Sequence, residues 1–272
     1  MSGFIGIDFS GGARPWRISV RNPTVWIATV RDSGSMPCLE QVIPVQSLQG
    51  TGLPFDRLIQ FLRAGDFEVA TIDAPFSLPV AHLPPGGHVD LLEQVRALPN
   101  GPDRPFPTGA SIVTLGEAIA PKVQAKPLRQ TEKFWASKKV NTPSTMWNGP
   151  RGGAPFAAAC LRLLERSGRP VWPWTAFQSG VLGEAFPAAE LSQWKLPHHG
   201  YSTIQTGLPA RKLIVQAIRE RIMLSDTQVE LLECCPDALD AVIAAISGIA
   251  IARKEVVGFL QLYDDGVIAV AP

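Results

Sequence analysis

The chain has 272 residues, 46% of them hydrophobic, and a formal net charge of +1. That length and composition suit one large core and exclude strong global attraction to nucleic acid, leaving only local patches. Four cysteines, Cys38, Cys160, Cys234 and Cys235, show no C-x-x-C spacing, and neither a signal-peptide pattern nor a run of eighteen apolar residues occurs, so a reduced, soluble, cytoplasmic protein without membrane contact is expected.

Phe4 to Asp8 reads as a buried first strand, and Gly11-Gly12 as a tight turn that sends the chain back antiparallel. Trp16 to Val20, Thr24 to Val30 and Leu39 to Val45 are expected to extend this meander, being rich in β-branched and aromatic residues. Between Pro54 and Ala64, Phe55, Leu58, Ile59 and Leu62 recur at helical spacing, and Glu68 to Asp73 follows as a strand. A helix in that place supplies the crossover a parallel return needs, so Asp8 and Asp73 are expected at the same end of neighbouring strands.

Residues 76–155 differ in character, with many prolines and glycines and only short helix candidates at Val89 to Ala97, Ser111 to Ile119 and Arg129 to Ala136. Between Pro99 and Pro155 stand eight bases (Arg104, Lys122, Lys126, Arg129, Lys133, Lys138, Lys139, Arg151) against Asp103, Glu117 and Glu132, which is +5 here and −4 for the rest. This charge separation reads as a basic cap inserted over an acidic site within a single domain of residues 1–272.

Beyond it, Ala154 to Arg166 is an amphipathic helix with Phe156, Cys160, Leu163 and Leu164 inward, and Pro170 to Trp174 and Val181 to Phe186 read as strands. Helices are expected at Ala188 to Trp194, at Ala210 to Leu224 with Leu213, Ile214, Ala217, Ile218 and Ile222 on one face, and at Asp226 to Cys234. A last helix, Asp237 to Ala252, has the small residues Ala241, Ala244, Ala245 and Gly248 for close packing on a sheet. Leu260 to Tyr263 and Val267 to Val270 would close the chain as a hairpin.

The carboxylates carry the chemistry. Asp8 and Asp73 each end an apolar run, where an acid is costly to desolvate unless it is paired, hydrogen-bonded or bound to metal. Turn capping accounts for either one alone, but not for their convergence. Asp237 and Asp240 lie three apart, on nearly one face of a helix start. Asp237 there complements the helix dipole, whereas Asp240 lies beside the sheet-packing face and should point toward the strand ends. Glu184 interrupts an apolar strand and reads equally as a further acidic ligand or a salt-bridged structural group. Such a set suits Mg²⁺ or Mn²⁺, and two ions about 4 Å apart serve phosphodiester hydrolysis.

Other polar residues point the same way more weakly. Lys138, Lys139 and Arg151, with Trp135 and Trp147 nearby, suit a surface that tracks a nucleic-acid backbone and stacks bases, although a basic flap over buried tryptophans has the same pattern. Arg211 and Lys212 open a helix, an unfavourable place for cations unless they face an anion such as phosphate. His198-His199 reads as a solvated loop that could supply a base. Neither GxGxxG nor GxxxxGK[ST] occurs.

The ordered blocks Gly6-Ile7-Asp8-Phe9-Ser10-Gly11-Gly12, Ile72-Asp73-Ala74-Pro75-Phe76-Ser77-Leu78-Pro79, Glu184-Ala185-Phe186-Pro187-Ala188 and Asp237-Ala238-Leu239-Asp240-Ala241 resemble those of the family called domain of unknown function 429, described as predicted nucleases with a ribonuclease H-like fold. The last block is also similar to the terminal acidic helix of Holliday-junction resolvases. The resemblance implies an α/β fold, a mixed sheet of about five strands with helices on both faces, and a metal site centred on Asp8, Asp73 and Asp240, with Glu184 and Asp237 as further members. Ribonuclease H proper has an acid on its first crossover helix; here only Asp56 stands there, so Glu184 would have to substitute.

Two readings of function follow, with a third beside them. The first is a metal-dependent nuclease with Asp8, Asp73, Glu184 and Asp240 catalytic, Asp8, Asp73, Asp237 and Asp240 as Mg²⁺ or Mn²⁺ ligands, and Lys138, Lys139, Arg151 and Arg211 binding DNA or RNA. The second is a phosphotransferase of the actin and sugar-kinase group, which lacks its expected glycine-rich adenosine loop and second phosphate turn here. A catalytically silent nucleic-acid-binding module on the same fold is the third.

Overall fold

A computed structural model describes residues 2–32, 34–257 and 264–272. Its centre is a six-stranded mixed sheet in the order β3-β2-β1-β4-β5-β6. β1 (Ser2–Asp8), β2 (Trp26–Asp32) and β3 (Cys38–Pro44) form an antiparallel meander. Helix α1 (Pro54–Ala64) then carries the chain across to β4 (Val69–Asp73), which runs parallel to β1. β5 (Val181–Ala185) and β6 (Ile268–Ala269) continue the parallel half.

The meander has one strand fewer at its start than the sequence suggests. Arg14–Trp16 is a 3-10 turn and no strand covers Trp16 to Val20. Trp16 is buried instead among Phe9, Phe55 and Phe106, with its indole N–H donating to the Ser10 carbonyl. The β propensity of this segment thus serves an aromatic cluster rather than a ladder. Pro170 to Trp174 likewise makes only an isolated bridge, Val171 to Leu182. β6 pairs parallel with β5, giving a sixth strand; the expected hairpin partner Leu260 to Tyr263 lies outside the described residues.

Helices cover both faces. On one lie α1 and α5 (Ala154–Ser167), whose apolar stripes join Ile5, Ile7, Ala70, Ile72 and Leu182 in one core. The shorter helices α2 (Gly87–Ala97) and α3 (Gly109–Ile119) pack on α5, and Phe76, Leu91, Val95, Phe106, Ile112 and Met146 enter the same core. Most of residues 76–155 is therefore an integral layer of the body, not a loose flap, and α4 (Gln130–Ser137) leads from it to the edge at β6, where Trp135 and Val140 meet Ile268 and Val270.

The other face is dominated by α9 (Pro236–Arg253), supported by α6 (Pro187–Gln193), α7 (Leu208–Arg219) and α8 (Asp226–Cys234). Small residues let α9 lie almost on the strands: a Cβ at Gly6 would collide with the Ala241 carbonyl and the Ala245 backbone, and the Thr71 hydroxyl donates to the Ala244 carbonyl. Glu190 of α6, fully buried, accepts from the Ser247 hydroxyl and the Ala271 amide, and burial pushes its carboxyl up to about 8. Two residues expected to face inward are exposed, Phe156 on α5 and Leu213 on α7, with Val215 filling the inner row of α7. No single helix among the described residues is long and apolar enough to cross a membrane.

Candidate active site

Asp8 and Asp73 are register partners at the ends of the parallel pair β1 and β4. Strand alternation puts them in the rows of Gly6 and Thr71, which face α9. Because α9 starts at this same rim, Asp240 in its second turn reaches the strand ends from above. One carboxylate oxygen from each of Asp8, Asp73 and Asp240 lies within 4.8 Å of the others.

Three acids this close, Asp8 buried and Asp73 and Asp240 half-buried, cannot all ionise cheaply. Burial raises the Asp8 carboxyl well above its usual range, and Asp240, Asp73 and Asp237 push it the same way. Asp73 is raised to about 7, by burial and then by Glu184. Asp240 is raised by burial and by Asp73, against the hydrogen bond it accepts from Tyr201. Among the described residues no lysine, arginine or histidine forms an ion pair with any of the three. An uncompensated buried acidic group of this kind must keep protons or take up a cation.

Asp237 is half-buried in the first turn of α9, where the helix dipole favours a carboxylate. Its own pKa is raised by burial, and it adds negative potential at Asp8 and Asp240 without joining the close group.

Glu184 stands apart. It is the register partner of Ile72 and shares the row of Leu182, so it belongs to the opposite face of the sheet. Arg129 holds it through two bonds, Nη1 to Oε2 at 2.7 Å and Nη2 to Oε1 at 2.5 Å, and the Phe76 amide donates to Oε2 at 3.0 Å. Glu132 takes the remaining guanidinium edge at 2.8 Å. Of the two readings the sequence left open, this geometry is that of the salt-bridged structural group. Asp56 does not fill the place either: it pairs with Arg166 and accepts the Leu53 amide at the start of α1.

The expected nucleic-acid residues divide. Arg211 is buried, and its guanidinium donates to the carbonyls of Tyr201, Thr203, Ile204 and Glu233, so it cannot meet a phosphate. The cation at a helix start answers to loop carbonyls rather than to a ligand. Lys138 is exposed and lies over the rings of Phe134 and Trp135, while Lys139 and Arg151 are exposed with left-handed backbone. His199 approaches the Lys139 carbonyl at 3.2 Å, and neither it nor His198 belongs to the carboxylate group. Gly11 lets α5 approach the end of β1, since a Cβ there would strike the Pro155–Phe156 backbone.

Tyr201 is the residue the sequence reading missed. Its hydroxyl donates to Asp240 Oδ1 at 2.9 Å, and the loop that carries it is stapled by Arg211. Only the fold joins these residues; in the sequence Tyr201 is one aromatic in a polar loop, with no spacing that ties it to Asp240.

Fold and site together define an α/β protein with helices on both faces of a mixed sheet and a close group of three acids at the ends of two parallel strands. The chain belongs to the family described as Protein of unknown function (DUF429), whose model matches residues 6–263 and so spans every carboxylate discussed. No curated protein and no solved structure matches it.

Proposed function

We propose that the protein is a metal-dependent nuclease with a ribonuclease H-like fold, hydrolysing phosphodiester bonds of DNA or RNA in the cytoplasm. The observation that carries this reading is the set of three carboxylate oxygens within 4.8 Å, drawn from β1, β4 and α9, with no lysine, arginine or histidine ion-paired to them among the described residues. The sheet order β3-β2-β1-β4-β5, its antiparallel meander and the acidic helix laid across it agree with that fold.

Asp8, Asp73 and Asp240 would hold Mg²⁺ or Mn²⁺, since all three donors are hard oxygens, and Asp237 would strengthen the field from the helix start. When bound, such ions supply Lewis acidity toward a phosphoryl oxygen and lower the pKa of water. The carboxyls must release their protons to bind, and Tyr201 holds Asp240 in one orientation while they do. Lys138, Lys139 and Arg151 would meet the nucleic-acid backbone; Glu184 keeps α4 and β5 together.

The test is direct. Purified protein with Mn²⁺ or Mg²⁺ should cleave single-stranded, duplex or branched nucleic acid, and Asp8→Asn should abolish cleavage while the circular dichroism spectrum is kept. Equal cleavage by the variant refutes the assignment.

A further inference from the structure

A cavity of about 210 Å³ opens beside the acidic centre, with Asp73 on its wall. It lies outside the ends of the parallel strands β4, β5 and β6, the place where open α/β sheets receive ligands. Phe156 from α5 and Phe186 after β5 line it, as do Arg129, Glu132 and Glu184.

Phe156 is 37% exposed in the first turn of α5, on the side of that helix away from its core stripe. Packing of the body therefore does not require an aromatic ring there. The Arg129 cluster places fixed polar edges in an otherwise mostly apolar wall, the combination that orients a small planar ligand. The volume falls below the roughly 300–1,000 Å³ of pockets that enclose drug-sized ligands, so one ring system fits and an oligonucleotide does not. Gly11 lets the start of α5 close against the turn after β1, which keeps Phe156 near the rim where Asp8 ends its strand.

We propose that this cavity receives one nucleobase of the substrate, from the nucleotide whose phosphate reaches Asp8, Asp73 and Asp240. The proposal rests on the nuclease reading and adds to it a base-binding subsite. Phe156 and Phe186 offer ring faces for stacking, which tolerates any base, and the Arg129–Glu132–Glu184 wall faces the base edge.

Ligand-detected NMR on the whole protein, in chelator, tests this with adenosine, guanosine, cytidine and uridine, and with ribose as control. At least one nucleoside should bind and ribose should not. Phe156→Ala should weaken binding by about 10-fold or more, as loss of a stacking partner does. Thr142→Trp, which fills the cavity from its loop side, should do the same. Asp8→Asn should keep nucleoside affinity within about 2-fold, because no metal or phosphate takes part. Absence of nucleoside binding at millimolar concentration, or affinity unchanged in Phe156→Ala, overturns the proposal. Binding of this pattern with no metal-dependent cleavage sinks the nuclease reading alone; cleavage with kcat/KM unchanged in Phe156→Ala sinks the base subsite alone.

Discussion

Two buried acidic clusters sit at one rim of the sheet, on opposite faces, and they are built to opposite rules. Arg129 lies between Glu132 and Glu184 with charged hydrogen bonds to both, so that cluster carries its own counter-ion. Asp8, Asp73 and Asp240 bring their oxygens within 4.8 Å of one another, and the side-chain donor they meet among the described residues is neutral, the Tyr201 hydroxyl. In ion pairing among the described residues, the first is complete and the second is not. A strand-end carboxylate thus meets a cation or further acids according to which face its row meets. Glu184 points to the face where α4 delivers an arginine, and Asp73 to the face where α9 delivers another acid.

The largest effect should come from breaking the complete cluster. Arg129→Met leaves two buried glutamates without their cation and should cost about 3–5 kcal/mol of stability in urea unfolding. A loss below about 1 kcal/mol would mean the pair is not desolvated as its burial indicates.

The incomplete cluster should instead show itself in pH. Asp73 is raised to about 7 and Glu190 to about 8, so the folded state holds more protons than the unfolded one above the ordinary carboxyl range. In chelator, stability should be greatest near pH 4 and fall as pH rises through 7 and 8, by at most about 1.4 kcal/mol per pH unit for each group. Mn²⁺ should remove the Asp73 part of that decline and leave the Glu190 part, and Asp73→Asn should abolish the effect of Mn²⁺. A decline untouched by Mn²⁺ would break the distinction between the two clusters.

Tyr201→Phe sharpens it further. Loss of the hydroxyl should weaken Mn²⁺ binding by about 10-fold, read by calorimetry, because the partner that orients Asp240 is gone. Smallest of all, Lys138→Ala should lower nucleic-acid affinity by less than about 10-fold and reduce the salt slope by about one. Unchanged salt dependence would remove Lys138 from the proposed surface.

Much of the fold was legible because periodicity reports burial. Phe55, Leu58, Ile59 and Leu62 marked α1 to its ends, and the crossover argument then set β4 parallel to β1 with Asp8 opposite Asp73. The small residues of α9 announced a close approach that the Gly6 contact explains. The segment Trp16 to Val20 misled because aromatic and β-branched residues suit an aromatic cluster as well as a strand. Phe156 misled because an apolar residue on a helix marks a core only if something covers it.

The sequence by itself determined the order of strands and helices around β1 and β4, and that acids end both strands and open the last helix, since local pattern and chain connectivity suffice for these. The sequence also placed Asp240 beside Asp8 and Asp73, where the structure has it; only the tertiary structure decided that Glu184 is taken by Arg129 and that Arg211 staples the loop carrying Tyr201. Those outcomes depend on which face each row meets and on partners with no fixed sequence spacing, and hydrogen bonds and charges act through distance in space, not along the chain.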